Sequence, residues 1–500
     1  MPYRLRPLPV ARSTMTLAIA AAASTLSGCG LDAPSGNAAG STRTNSSQTI
    51  QAAQAPGGLG CSWIAGSDED KGNIAYPDDA ARYWAALVPV APNLRVRMDG
   101  RFPDARYFSF NIYDPAQRAT DALADIELSA TQGINPFISG GDPGGSYTAY
   151  IAFGDSPAQN AKVTRQPNTL YSGVFGTGDR GIPNAGNVLI LYRTYLSRKG
   201  EFRDGGVGLP TLTVESADGK TVYGEIPNCA EPFLPSGSGL IPSPGINGRT
   251  NAIDYPDTLA VDFPVAGYPP RSRVFYGLAG AAVDIGNNSL GKPLPACNSF
   301  TALDPGSCQS RIPQIPAASA GGGGFLNNLH NAYTTTSFSR RFGNIAIIRA
   351  KAPTFRNDMV KSGFGQEQLR YWSICQNEFT TQRYSGCTAD ENTPVDADGY
   401  FTVVISDEAD RPKNVTRDNG MVWLPWGPYP DALVLYRHML VNPAFKQAIQ
   451  FVNASDDPKQ KMGEFYPDPT YCRRNVFESS NNPATIFRLC AADMKQNPPL

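Results

Sequence analysis

Side chains able to do acid–base or nucleophilic work are few in this 500-residue chain, which carries two histidines, His330 and His438. A Ser-His-Asp or Cys-His device needs an imidazole beside its nucleophile, and neither histidine stands in a local motif of that kind. His438 falls inside an apolar strand pattern, where a packed imidazole fits better than a working base. Carboxylates are more numerous. Asp125 with Glu127, Glu201 with Asp204, and Asp407 with Glu408 would serve glycoside hydrolysis if a groove brought two of them together from different strands. Gly176-Thr-Gly-Asp-Arg-Gly181 matches Gly-x-Gly-x-x-Gly, but Pro183, Asn184 and Gly186 follow. No helix starts there to hold a pyrophosphate, and a loop is expected. Ala217-Asp-Gly-Lys-Thr221 has Val214 where a phosphate loop needs its first glycine. Asp396-Ala-Asp398-Gly399 begins as a calcium loop does, lacks the later ligands, and reads as a hairpin turn. His-Glu-x-x-His, Gly-x-Ser-x-Gly and Cys-x-x-Cys do not occur. No metal or cofactor is expected.

The N-terminal residues suggest an address. Arg4, Arg6 and Arg12 precede a short apolar run, Met15 to Ala23, too short to span a bilayer. Leu26-Ser-Gly-Cys29 then resembles the lipobox of bacterial lipoprotein signals. That resemblance implies a signal peptide over 1–28, a lipidated Cys29, and a place in the bacterial cell envelope facing away from the cytoplasm. Gly30 after the cysteine would favour the outer membrane in a Gram-negative cell. A plain secretion signal with an incidental cysteine is the alternative. Residues 29–60 are polar and small, as a flexible tether is. With Cys29 set aside, eight of nine cysteines remain. In an exported chain an even number reads as disulfides, although eight allow about a hundred pairings. Pairing neighbours gives Cys297–Cys308, Cys375–Cys387 and Cys472–Cys490, and leaves Cys61–Cys229 to clasp the first half. A net charge of −1 offers no field for nucleic acid.

These residues sit on a scaffold written twice. Arg-Tyr-Phe-Ser-Phe at 106–110, Tyr-Thr-Ala-Tyr-Ile-Ala at 147–152 and Leu-Ile-Leu-Tyr-Arg-Thr-Tyr-Leu at 189–196 recur in order. Their second copies are Arg-Tyr-Trp-Ser-Ile at 370–374, Tyr-Phe-Thr-Val-Val-Ile at 400–405 and Leu-Val-Leu-Tyr-Arg-His-Met-Leu at 433–440. We read repeats at 61–230 and 325–500, joined by a Pro/Gly-rich connector over 231–324. Strands are expected at most apolar runs, including Asp125 to Leu128. Helices are expected over Ala80 to Val88, from Asn442 to Val452, and from Thr485 to Met494. His330-Asn-Ala-Tyr333 echoes Asn73-Ile-Ala-Tyr76.

Alternation assigns faces. Arg106, Phe108, Phe110 and Ile112, with Arg370, Trp372, Ile374 and Gln376, form the mostly apolar side of the first recurring strand. Tyr107, Ser109, Asn111 and Tyr113, with Tyr371, Ser373, Cys375 and Asn377, form a polar, aromatic side. That side fits wet surface, a repeat–repeat contact or a ligand wall. The closing strand is apolar on both sides, so it is central and covered. Arg193 and Arg437 inside it need acceptors, and Asp114 and Glu378 are the expected ion-pair partners. Tyr107, Tyr371, Ser373, Tyr400, Trp423 and Trp426 are the candidate contacts for a glycan or small apolar ligand.

Arg-Tyr-Trp-Ser at 370–373, Asp-Gly-Tyr-Phe-Thr-Val at 398–403, Trp-Leu-Pro-Trp-Gly at 423–427 and Leu-Val-Leu-Tyr-Arg at 433–437 resemble exported bacterial proteins of unknown function. More loosely, they are similar to the β-sandwich families catalogued as domains of unknown function 1214 and 1254. Repeat one has Thr169-Leu-Tyr171 in place of the Trp-Leu-Pro turn. The resemblance implies a jelly-roll-like sandwich and no activity. The expected fold is therefore all-β with a few short helices, as two tandem jelly-roll-like β-sandwich repeats. The expected role is a surface lipoprotein that binds or presents, with a secreted carboxylate glycan hydrolase as the alternative.

Overall fold

The computed structural model describes residues 61–66, 76–113, 119–140, 144–157, 160–173, 186–197, 203–229, 266–275, 326–356, 366–378, 383–453 and 455–499. The fold is all-β with short helices. Repeat one holds β1 (Ile64–Gly66), β2 (Ala81–Val90), β3 (Leu94–Arg101), β4 (Tyr107–Tyr113), β5 (Ala119–Ala124), β6 (Ser146–Ala152), β7 (Thr169–Tyr171), β8 (Gly186–Tyr195), β9 (Thr211–Ser216) and β10 (Val222–Ile226). Repeat two holds β11 (Ser272–Phe275), β12 (Asn331–Ser339), β13 (Ile345–Lys351), β14 (Leu369–Glu378), β15 (Tyr384–Ala389), β16 (Tyr400–Ser406), β17 (Val422–Pro425), β18 (Asp431–Val441) and β19 (Asp468–Tyr471).

The strand orders carry the duplication. Repeat one stacks β1-β2-β8-β4-β5 on β10-β9-β3-β6-β7, and repeat two stacks β11-β12-β18-β14-β15 on β17-β16-β13-β19. Phe108 lies opposite Thr194 and Trp372 opposite His438, so the recurring phrases occupy matching register. Both β4–β5 and β14–β15 shift register at the corresponding step, after Ile112 and after Gln376. Thr169–Tyr171 runs parallel to β6 as Val422–Pro425 does to β16, so the two dissimilar turns enter the closing strand in the same way.

Several expectations change. Ala80 to Val88 is no helix: from Ala81 on it belongs to β2, because Trp84, Ala86, Val88 and Val90 alternate into the core. An Ala-rich run with an entry-type Pro-Asp took the period of its burial, not its propensity. Asp125–Glu127 is a 3-10 turn, not a strand. Between Asn442 and Val452 only Ile449–Phe451 is helical, as one 3-10 turn. The C-terminal helix is present and runs Pro483–Gln496. Tyr333, opposite Arg437, matches Tyr83, opposite Arg193, so the echo with Tyr76 was misplaced. Ser272–Phe275, within the expected connector, is the edge strand of repeat two.

Each repeat has one main core between its sheets. In repeat one Trp84, Phe108, Phe110 and Tyr192 pack on Met98, Tyr147 and Ile151, and in repeat two Trp372, Phe401, Val403 and Tyr436 do the same work. The outer faces differ for a reason legible in the letters. β3 turns Arg95 and Arg97 outward, and both pair with Glu215. β13 turns out Ile345 and Ile347 instead, and these are covered by Phe477, Ile486 and the Cys472–Cys490 disulfide. Ile486 is fully buried there. We predict that Ile486→Ala lowers unfolding free energy by about 2–4 kcal/mol in urea titration, and an unchanged midpoint would refute this packing.

Candidate functional site

The polar faces of β4 and β14 are not solvated. Tyr107, Ser109, Asn111, Tyr371, Ser373, Cys375 and Asn377 are all fully buried, and of the three readings the repeat–repeat contact holds. Tyr107, Tyr195, Tyr371 and Met439 share one cluster across the seam, with the Tyr195 and Tyr371 rings edge to face at 5.2 Å.

The seam is held by reciprocal ion pairs. Arg106 of repeat one reaches Asp390 of repeat two and, at 2.7 Å, Glu391. Arg370 of repeat two reaches Asp125 of repeat one at 3.3 Å. Both aspartates begin 3-10 turns directly after β5 and β15, and each also accepts the backbone N–H of its own repeat, from Phe108 and Trp372 respectively, at 3.1 Å. Burial pushes both carboxyls above their ordinary value, Asp390 to about 6, with the facing guanidiniums opposing.

The arginines of the closing strands also cross. Arg437 donates to the carbonyls of Tyr76 (2.7 Å) and Pro77 (3.0 Å), and Arg193 to that of Leu326. Tyr76 and Leu326 are both left-handed, with φ of 54° and 52°, which turns those carbonyls toward the guanidiniums. The expected partners are corrected accordingly. Glu378 lies opposite Ala432 while Arg437 lies opposite Ser373, five pairs and roughly 16 Å along the strand. Asp78 is the nearest carboxylate to Arg437, at 3.6 Å. Arg193 stacks near Tyr83 and Tyr113, and Asp114 lies outside the described residues. Asp78 also accepts from Tyr371 Oη (2.9 Å) and Ser373 Oγ (2.6 Å), whereas the matching Asn328 bonds Tyr107 Oη.

Both histidines are held by neighbouring groups. His330 bridges the seam, Nδ1 to Tyr107 Oη at 2.9 Å and Nε2 to Glu127 at 3.2 Å. Burial raises the Glu127 carboxyl, but the hydrogen bond and charge of His330 outweigh it and hold it below the ordinary value. His438 is buried in the core of repeat two, its Nδ1 accepting from the Ile449 N–H, and burial holds it down to about 3.

The remaining candidates scatter. Tyr107, Tyr371 and Ser373 are sealed in the seam. Trp426 is a core residue of repeat two. Tyr400 lies under Arg349 and bonds Glu464, and Trp423 lies under Arg411 and bonds Ser406. Asp407 is tied to Arg340, and Asp204 caps its own glycine loop at Gly206 and Gly208. Glu201, Cys29, Cys297 and Cys308 lie outside the described residues, as do Gly176 to Gly181, expected as a loop. Cys61–Cys229, Cys375–Cys387 and Cys472–Cys490 are paired as expected.

One cleft opens along the seam, about 570 Å³ in volume and walled by both repeats. Asp79, Arg82 and Arg203 come from repeat one, and Tyr384, Cys387, Thr388 and Asn392 from repeat two. Sequence reading missed it, because Arg82 and Arg203 sit in no motif and become neighbours of β15 only through the seam. Asp78, Cys375 and Cys387 gather within 4.8 Å, but both sulfurs are spent in the disulfide and offer no thiolate to a metal.

We predict that Arg106→Met costs about 3–5 kcal/mol near pH 7.5, by stranding Asp390, and that adding Asp390→Asn restores most of it. The single variant's deficit should shrink toward pH 5, as Asp390 takes a proton. Additive losses in the pair would refute the coupling. For His438 the unfolded side chain titrates near 6.5 and the folded one near 3, so the stability it adds is present above 6.5 and lost as pH falls between them. His438→Asn should flatten that acid slope, worth up to about 1.4 kcal/mol per pH unit, in melts from pH 7 to 4.

No family model matches this chain, and no curated protein matches it. Among solved structures it is similar to an uncharacterised protein from Burkholderia cenocepacia, at 16% identity over 76% of this chain and 78% of the other, with a TM-score of 0.38. A protein from Vibrio parahaemolyticus matches at 13% identity over 81% of this chain and 91% of the other, with a TM-score of 0.35.

Proposed function

We propose that this protein is a non-catalytic, envelope-anchored binding scaffold whose inter-repeat cleft takes a polar small ligand of the glycan class. The cleft is the observation that carries the reading. Its volume falls in the range of small-molecule sites, roughly 300–1,000 Å³. Its wall mixes guanidinium, amide, hydroxyl and one aromatic ring, which suits hydroxyl-rich or anionic sugars better than an apolar ligand. Three disulfides support an oxidising compartment, in keeping with an export signal and a lipid on Cys29. No helix among the described residues is long and apolar enough to cross a membrane.

The hydrolase alternative needs two carboxylates about 5–10 Å apart in the cleft. Among its described lining residues Asp79 is the one acid. Of the carboxylates singled out in the sequence, Asp125 and Glu127 lie in the seam, Asp407 and Glu408 in ion pairs, and Asp204 in its glycine loop, while Glu201 lies outside the described residues. A glycan array on residues 61–500, read for both binding and turnover, tests the proposal. We expect binding without turnover, and at least about tenfold weaker binding for Arg203→Ala with an unchanged melting temperature. Product release, or no glycan retained at all, would overturn it.

A further inference from the structure

The Cys375–Cys387 disulfide differs from the other two described disulfides in what its sulfurs touch. It joins directly opposed residues of β14 and β15. Cys375 is fully buried, and Arg437 Nη1 donates to its Sγ at 3.0 Å. Cys387 is half-buried and forms part of the cleft wall. One cysteine therefore stands in the cleft wall while the sulfur of the other rests on a guanidinium. The Asp78 carboxylate, within 4.8 Å of both sulfurs, accepts from Tyr371 and Ser373 and lies 3.6 Å from Arg437, so it offsets part of that charge while the Arg437 N–H still donates to Cys375 Sγ. Cys472–Cys490 is by contrast packed inside an apolar cluster.

We propose that Cys375–Cys387 is an exchange-active disulfide that reacts with thiols entering the inter-repeat cleft, Cys387 being the attacked sulfur and Cys375 the leaving group. The incoming thiolate forms a bond to Cys387 Sγ while the S–S bond breaks, and the electron pair departs on Cys375, held by Arg437. A neighbouring cation favours the departing thiolate, and attack is fastest on the sulfur that can be reached. With a dithiol the second thiol then attacks the mixed disulfide. The dithiol leaves oxidised to its own disulfide, and the protein keeps two cysteine thiols, Cys387 taking the proton. The reverse sequence reduces a partner's disulfide at the expense of the protein's two thiols. Cys375 also lies beside Ser373 and Asp78 on the seam, so opening this bond alters the surroundings of Arg437 where it crosses between repeats. The proposal does not rest on the glycan reading, since exchange requires access to Cys387 and no bound sugar.

The folded protein should be treated with graded dithiothreitol, quenched with iodoacetamide and peptide-mapped. We expect Cys375 and Cys387 to be alkylated at least about tenfold ahead of Cys61–Cys229 and Cys472–Cys490. With glutathione alone the mixed disulfide should be found on Cys387. Equal opening of all three disulfides, or glutathione found mainly on Cys375, would overturn the proposal. Arg437→Gln tests the leaving-group role as a ratio within each molecule. Opening of Cys375–Cys387 should slow relative to the other two, whereas simple loosening of the fold would speed all three together. An unchanged ratio in a folded variant would refute the part given to Arg437.

Discussion

Everything in this molecule depends on the exchange of charge between its two halves. Arg106 and Arg370 stand at matching places, and each is answered by an aspartate from the opposite repeat. Neither guanidinium could be buried on its own repeat, because a lone buried charge is very costly. The aspartates are in turn fixed by backbone N–H groups of Phe108 and Trp372. The interaction therefore orients β4 against β5, β14 against β15, and both sheets against each other. Exchanging the partners across the seam ties the fold of each half to the presence of the other.

That arrangement also makes the cleft. Its walls belong to different repeats, so its shape follows from how the sheets meet along the seam. Two apolar sandwich cores back those sheets on their far sides. The covering on the second core's outer face, with its own disulfide, stiffens β13 and β16 further. The cleft edge brings Asp79, Arg82 and Arg203 of repeat one together with Thr388 and Asn392 of repeat two.

Much of the scaffold was legible from the letters, and the misses have physical causes. Period-two alternation placed Phe108, Phe110 and Trp372 in cores, and the doubled phrases revealed two equivalent sandwiches. Neighbour pairing of cysteines held wherever the residues are described. Local propensity misled at Ala80 to Val88, where an Ala-rich run is a strand because its alternate side chains face a core. Arg437 and Glu378 share a sheet, but sequence gives no register between strands far apart in the chain. The site itself was not legible. Tyr107 and Tyr371 read as wet surface first, then as repeat–repeat contact or ligand wall, and only the meeting of two sheets, invisible to any single-strand pattern, decides between them.

The matched left-handed residues Tyr76 and Leu326 carry one more consequence. Each presents a carbonyl to the other half's closing-strand arginine, so both halves offer and receive the same parts. A self-complementary arrangement of this sort is what two identical subunits form about a dyad. Joined in one polypeptide, the halves meet at a fixed effective concentration whatever the dilution. The halves are then free to differ, as the Asp78 and Asn328 places already do, so a single lopsided edge can specialise while the shared geometry stays intact.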